Sequence, residues 1–262
     1  MALTREQFDQ AYAAEDSQLR MARLQRLSYR QLQELLSGDP AEAAVWIRSA
    51  AECGVAAAQL RLGRMLLEGT GVPRDARAAL IWFERAAAQG DAAAMNMVGR
   101  CVENGWGTTA DPVQAAAHYE ASARRGHDWG EYNFANMLFD GRGVVGDRVR
   151  ALDWYRRAAR RGHGRAMNLL GRCLEEGWGC DPDPASAALW YQRSAETGYF
   201  RGQYNYAAVL AQHGHPAAAA AWYLRAAEGG DQPIRRAIVQ ALSNATDPAL
   251  CSARARIAAL CR

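Results

Sequence analysis

The sequence predicts an all-α protein assembled from repeated helix-loop-helix units, and three observations predict it. Glycine recurs at Gly54, Gly90, Gly126, Gly162 and Gly198 in steps of 36 residues, with parallel series at Gly69, Gly105, Gly141 and Gly177 and at Gly71, Gly107, Gly143 and Gly179. An aromatic pair recurs between them as Trp82-Phe83, His118-Tyr119, Trp154-Tyr155, Trp190-Tyr191 and, after a four-residue deletion, Trp222-Tyr223. Asp75, Asp111, Asp147 and Asp183 keep the same step. A period of roughly 20–50 residues marks a stack of supersecondary units, each burying its apolar face against its neighbours.

Within a unit, an apolar run of helical spacing meets a Gly-x-Gly break, and a second helical run ends in two small residues and glycine. In the second unit Met95, Val98 and Val102 fall at i, i+3 and i+7, a stripe that requires a partner surface. The glycines just beyond can take the left-handed geometry that ends a helix. Asp111-Pro112 and Asp183-Pro184 restart the chain, the carboxylate accepting from free amides and the proline occupying the first helical position. Asp75 and Asp147 are expected to cap in the same way.

Residues 55–90 (VAAAQLRLGRMLLEGTGVPRDARAALIWFERAAAQG) and 127–162 resemble the Sel1-like repeat, a relative of the tetratricopeptide repeat, from end to end. Residues 91–126, 163–198 and a shortened 199–230 complete five units, and residues 41–54 are similar to the second helix of a preceding half-repeat. His118 departs from the aromatic pattern, Ala135 and Ala207 replace the helix glycine seen at Gly63, Gly99 and Gly171, and the fifth unit lacks Gly-x-Gly, so its loop, QHGHP, must be tighter. The resemblance implies a right-handed α/α solenoid, or superhelix, of about five 36-residue helix-turn-helix repeats. Residues 1–40, with Leu19, Met21, Leu24, Leu27 and the cap Ser28, are expected to form a helical N-terminal cap. Residues 231–262, with helices after Pro233 and after Asp247-Pro248, form the C-terminal one.

The 262 residues carry 31 Lys+Arg against 28 Asp+Glu, a net charge of +3. That balance offers no cationic field for nucleic acid, and Arg124, Arg125, Arg156, Arg157, Arg160 and Arg161 read as solvated helix faces. No stretch reaches a membrane-spanning length, and Arg5, Glu6 and Asp9 break any leader, so the expectation is a cytoplasmic chain, monomeric or weakly dimeric, with no membrane partner. The six cysteines default to free thiols, although Cys173 with Cys180, or Cys251 with Cys261, could approach under oxidation.

The candidate site comes from a second-order repeat. MNMVGRCVENGWG and MNLLGRCLEEGWG match each other across 72 residues, while the third and fifth units share YNFA and YNYA. Asn96, Arg100 and Glu103 are repeated as Asn168, Arg172 and Glu175. The third unit offers Asn133, Asn136 and Asp140, and the fifth Tyr204 and Asn205. The resemblance implies that this helix lines the concave surface, which makes the asparagines a ladder along one groove. An amide side chain offers both donor and acceptor, so it can pair with a peptide backbone whatever the bound sequence, and Arg64, Arg100 and Arg172 can add carboxylate recognition. An equally direct reading has the asparagines bonding carbonyls of the neighbouring repeat. Trp106 and Trp178, between the loop glycines, either staple the loop onto a repeat or anchor a partner. Trp82, Trp154, Trp190 and Trp222 read as inter-helix packing.

The chain has no Cys-x-x-Cys, no paired histidines on a helix, no phosphate-binding glycine loop after a strand and no nucleophile elbow. His213 and His215 make at most a weak metal site. No cofactor, metal or enzymatic activity is expected. The reading is an adaptor or scaffold that binds a partner protein or extended peptide in the groove. The alternatives are a regulatory protein that responds to a small molecule or metal, with iron uptake one setting, and a purely structural assembly module.

Overall fold

The computed structural model describes residues 17–261, the side chain of Tyr29 excepted. Residues 1–16, which hold Arg5, Glu6, Asp9 and the opening of the expected cap, lie outside the described residues, as does Arg262. Among the described residues every regular element is an α-helix, and no helix is long and apolar enough to cross a membrane.

The described residues open with α1 (Ser17–Leu24), α2 (Tyr29–Ser37) and α3 (Pro40–Glu52). Four full hairpins follow, each a first and a second helix: α4 (Ala56–Glu68) with α5 (Ala76–Ala88), α6 (Ala92–Asn104) with α7 (Pro112–Arg124), α8 (Asp128–Asp140) with α9 (Arg148–Arg160), and α10 (Gly164–Glu176) with α11 (Pro184–Glu196). A shorter hairpin, α12 (Phe200–Gln212) with α13 (Pro216–Gly229), precedes α14 (Gln232–Ala241) and α15 (Pro248–Ala259). The architecture is that of an α-solenoid.

The expected caps are present. Asp75, Asp111, Asp147 and Asp183 each accept a backbone N–H at the start of the second helix, and Ser28 forms a reciprocal capping box with Gln31. In the tight fifth loop His213 and Gly214 close α12, and His215 starts α13 without a side-chain cap bond.

The two loop glycines divide their work. Gly69, Gly105 and Gly177 end the first helix in the left-handed region. The second glycine docks the loop onto an earlier helix. A Cβ at Gly71 would strike the Pro40 carbonyl, and one at Gly179 the Arg148 carbonyl, so the backbone approaches where no side chain fits. On the first helix, Gly171 lies flat under Tyr191, with a hypothetical Cβ only 2.7 Å from the ring. Ala207 takes the equivalent place and is fully buried.

The described chain forms two compact units, one ending at Gly130 and taking in Arg142–Val144, the other built from Glu131–Gly141 and the chain from Val145 onward. In the first, Ala43, Ala44, Ile47 and Ala51 of α3 pack on Leu62 and Met65 of α4, with Trp82 at the margin. In the second, Tyr223, Ala226 and Ala227 of α13 meet Ile238 of α14, Leu242 at its C-cap, and Ala253 and Ile257 of α15, which close the terminal core. Fully burying an aliphatic or aromatic side chain contributes about 1.5–3 kcal/mol, and these contacts give the hairpins the stability that isolated 13-residue helices lack.

Candidate functional site

Part of the polar row on the first helices holds the hairpins together. Tyr119 donates its hydroxyl to Glu103 Oε2 at 2.6 Å, Tyr191 donates to Glu175 Oε2 at 2.6 Å, and Tyr155 donates to Asn136 Oδ1 at 2.6 Å. Glu103 also takes the Arg142 guanidinium at 2.7 Å. Burial and the adjacent carboxylates raise the phenol pKa values of Tyr119 and Tyr191 far above the usual range, so both remain donors. Asn136 and the two glutamates are thus bonded to tyrosines of their own repeats.

The asparagines divide by register. Asn96 and Asn168 occupy one position of the repeat, and Asn133 and Asn205 the next, so the steps from Asn96 to Asn133 and from Asn168 to Asn205 are 37 residues. In the second unit this offset brings two amides together, Asn205 Nδ2 donating to Asn168 Oδ1 at 2.8 Å. The bond joins neighbouring repeats through side chains rather than through a carbonyl. It leaves the Asn168 nitrogen and the Asn205 oxygen without a protein partner among the described residues. Asn96 is buried in α6 and Asn133 half-buried in α8.

The second unit places the pair in a cavity of about 510 Å³ formed by the faces of α8, α10 and α12 and closed by α14. Asn168, Arg172, Tyr204 and Asn205, four of the candidates read from the sequence, line it together. Tyr132, Tyr199 and Arg201 complete the polar lining, with Leu169 and Ile234 supplying apolar wall. The tyrosines are held in place from behind. Tyr132 stacks on the His163 ring at 4.8 Å between centroids, and Tyr204 meets the Tyr223 ring edge at 5.8 Å. Burial raises the Tyr199 phenol, a shift that nearby Arg201 and Arg165 oppose.

Two cations stand at this cavity. The Arg172 guanidinium lies over the Trp178 ring at 5.1 Å and that of Arg201 over Phe200 at 5.8 Å. Neither has a carboxylate partner among the described residues. The one acidic residue in the lining, Asp231, caps α14 by accepting the Ile234 N–H at 3.1 Å.

The remaining candidates lie elsewhere. Arg100 is stacked over Trp106 at 5.3 Å in the first unit. Trp178, half-buried, packs on Phe139 at 5.3 Å while carrying Arg172 on its other contact, so it touches an earlier repeat and also braces a residue of the cavity. Arg64 lines a separate cavity of about 480 Å³ in the first unit with Leu36, Ala57, Leu60 and Arg61. Trp154 and Trp222 pack edge-on against Phe134 and Tyr206 of their own hairpins.

Among the described residues no group of three or more His, Cys, Asp or Glu side chains is arranged to hold a metal, and His213 Nδ1 instead approaches the Val209 carbonyl at 2.8 Å. All six cysteines are free thiols. Burial pushes Cys101 up to about 11 and Cys173 up to about 12, which suppresses the thiolate either would need as a nucleophile or ligand.

Sequence reasoning missed Tyr132, Tyr199 and Arg201, and a signal for two of them was present. Tyr199 sits at a cap position that Asp91 and His163 fill with a bonded side chain, and it makes no cap bond there. Arg201 stands where the first two repeats have Ala57 and Ala93.

A family profile described as Sel1 repeat matches residues 16–55, 56–91, 92–127, 130–163, 164–199 and 201–231. Among solved structures, c5321, a protective antigen of uropathogenic Escherichia coli displaying an SLR fold, is 27% identical with a TM-score of 0.70 over 95% of this chain and 54% of that one. This chain therefore spans about half the length of that relative. A Sel1 repeat protein from Oxalobacter formigenes is 23% identical, with a TM-score of 0.77, over 88% of this chain and 96% of the other. The immunity protein Pa5087 from Pseudomonas aeruginosa is 17% identical, with a TM-score of 0.53, over 79% and 80%. The latter two likenesses concern the fold alone. No curated protein matches the sequence. With six profile matches covering most of its length on an all-helical scaffold, the chain belongs to the Sel1 repeat family.

Proposed function

We propose that this chain is a non-enzymatic adaptor that binds an extended segment of a partner protein in the second unit, along the faces of α8, α10 and α12. Sel1 repeat proteins are generally protein–protein interaction modules, and the fold is typically a non-catalytic scaffold. The observation that carries the reading is the convergence of Asn168, Asn205, Arg172 and Tyr204 on one cavity. The amide pair presents a donor and an acceptor to a peptide backbone, and its internal bond fixes both side chains before any ligand arrives. Braced tyrosines add contact area at low entropic cost. Asn133 on α8 is a secondary contact of that surface, and Asn96, Arg100 and Trp106 mark the corresponding positions of the first unit taken by itself.

The test is affinity capture from native lysate with the wild type and with an Asn168→Ala, Asn205→Ala double variant that circular dichroism shows to be fully folded at the capture temperature. The expected result is one dominant partner retained by the wild type and lost by the variant. Equal recovery by both proteins would move the binding surface to the loops or to the second-helix face.

A further inference from the structure

Arg172 and Arg201 share with Arg148, Arg193 and Arg225 a seat over an aromatic ring and, among the described residues, no acid partner, and what sets the two apart is that both line the cavity. Arg156 pairs with Asp153 at 3.0 Å, and Arg157 and Arg161 both reach the fully buried Glu131, at 3.2 and 3.3 Å. The two arginines at the cavity have only aromatic rings beneath them. A guanidinium seated on a ring still presents its N–H edge, and that edge matches a carboxylate.

Their spacing sets the form of the ligand. α10 and α12 run in the same direction, because the hairpin between them reverses the chain twice, and Asn168 and Asn205 are level with each other through their bond. Arg172 lies four residues beyond Asn168, and Arg201 four residues before Asn205. At about 1.5 Å of rise per residue, the backbone positions of the two arginines stand about 6 Å along the axis on opposite sides of the amide pair, about 12 Å apart axially, with about 8–10 Å between packed helices added laterally. The guanidiniums lie over different rings, Trp178 beyond the end of α10 and Phe200 at the start of α12, so they call for two carboxylates. An extended chain advances about 3.3 Å per residue and turns alternate side chains to the same face, so residues i and i+4 put two acids about 13 Å apart on one side, and the long arginine side chains take up the remainder.

Building on the peptide-groove reading above, we infer that the second unit recognises an extended segment carrying two acidic side chains four residues apart, one on Arg172 and one on Arg201. Asn168 and Asn205 hold the backbone between them. Tyr132, Tyr199 and Tyr204 form the walls for the intervening side chains. Asp231, already committed to the α14 cap, adds a negative charge that disfavours a third acidic residue at that end.

The experiment is selection from a displayed random dodecapeptide library on the full-length protein, followed by fluorescence anisotropy of a labelled selected peptide. The expected outcome is enrichment of Asp or Glu at two positions four apart. Binding should weaken at least about tenfold for Arg172→Gln and again for Arg201→Gln, since each removes a charge-assisted pair. Replacing either acid of the peptide by its amide should have an equal effect, additive with the arginine change at the other end and not at the same end. Both arginines are exposed, so the variants are expected to keep the wild-type melting temperature. Enriched peptides without an acidic bias that still depend on Asn168 and Asn205 would overturn this inference and leave the groove reading standing. Failure to enrich any peptide would overturn both.

Discussion

The cavity against α4 in the first unit and the cavity against α10 and α12 in the second have similar volumes, about 480 and 510 Å³, and are built on the same turn of the repeat. Leu60, Arg61 and Arg64 precede Asn168, Leu169 and Arg172 by three steps of 36 residues. The side chains at these shared positions make two different surfaces. In the first unit Leu60 supplies hydrocarbon and Arg61 is used up in a 2.7 Å bond to the Leu36 carbonyl, while Arg64 has Glu68 one turn on just as Arg172 has Glu176. In the second unit, leucine is replaced by a bonded amide pair, three tyrosines enter the lining, and Arg201 joins Arg172, each over an aromatic ring. Residues that pack one helix on the next are fixed by the scaffold, whereas those that face the cavity vary without cost to the fold. A repeat protein can therefore carry two chemistries on one architecture.

The largest effect should expose what the two regions share. Gly71→Ala and Gly179→Ala each force a Cβ into a carbonyl at a positive φ, and each is expected to destabilise its unit by about 2–4 kcal/mol in urea melts. Equal losses would establish that the docking of loop on helix is the same element in both units. A loss at only one site would break the equivalence on which the comparison rests.

A smaller effect belongs to the second unit alone. Asn168→Ala should cost about 1–2 kcal/mol because it strands the Asn205 amide, and the double change with Asn205→Ala should cost less than the sum of the single changes, giving a coupling of about 0.5–1.5 kcal/mol. Leu60→Ala and Arg61→Ala in the first unit should add independently within about 0.5 kcal/mol. Coupling in the first unit, or its absence in the second, would remove the distinction between the two surfaces.

The smallest effect is a pH dependence. Burial, with a minor contribution from Tyr204, pushes the Tyr223 phenol up to about 12 from its ordinary 10. The folded state thus holds this proton more tightly than the unfolded chain does, and the stabilisation it contributes is intact below pH 10 and erodes as the pH rises toward 12. Tyr223→Phe should flatten the alkaline fall in melting temperature over that window relative to the wild type. An unchanged alkaline profile would show that Tyr223, and with it the support behind Tyr204, is not held as described.

Most of the fold was legible in the sequence because it rests on local chemistry repeated many times. Asp111 and Asp183 before proline, Ser28 three residues before Gln31, and glycine after each first helix specify their ends without reference to the rest of the chain. The cavity was legible only in part. Asn168, Arg172, Tyr204 and Asn205 share a recognisable row, but the use of Glu103, Glu175 and Asn136 by buried tyrosines depends on which side of a helix meets its own hairpin partner. Tyr199 and Arg201 were hidden for a related reason. Tyr199 fills a slot that two other repeats give to a bonded cap and Arg201 one that the first two repeats give to alanine, and only packing against α14 turns the departure into a wall of a cavity. The docking role of Gly71 and Gly179 was likewise unreadable, since a turn glycine and a contact glycine have the same sequence signature.

The one-residue offset between Asn168 and Asn205 constrains how such an array can lengthen. The amide pair forms because two kinds of hairpin alternate, one placing asparagine after methionine and the other placing it after tyrosine. Duplicating a single hairpin would set like against like and put the two amides at the same level with no offset to bridge. Duplicating a pair preserves it. The heritable building block of the groove is therefore two hairpins, although the building block of the fold is one, and gains or losses in steps of about 72 residues would be the neutral moves for a gene that must keep its ligand.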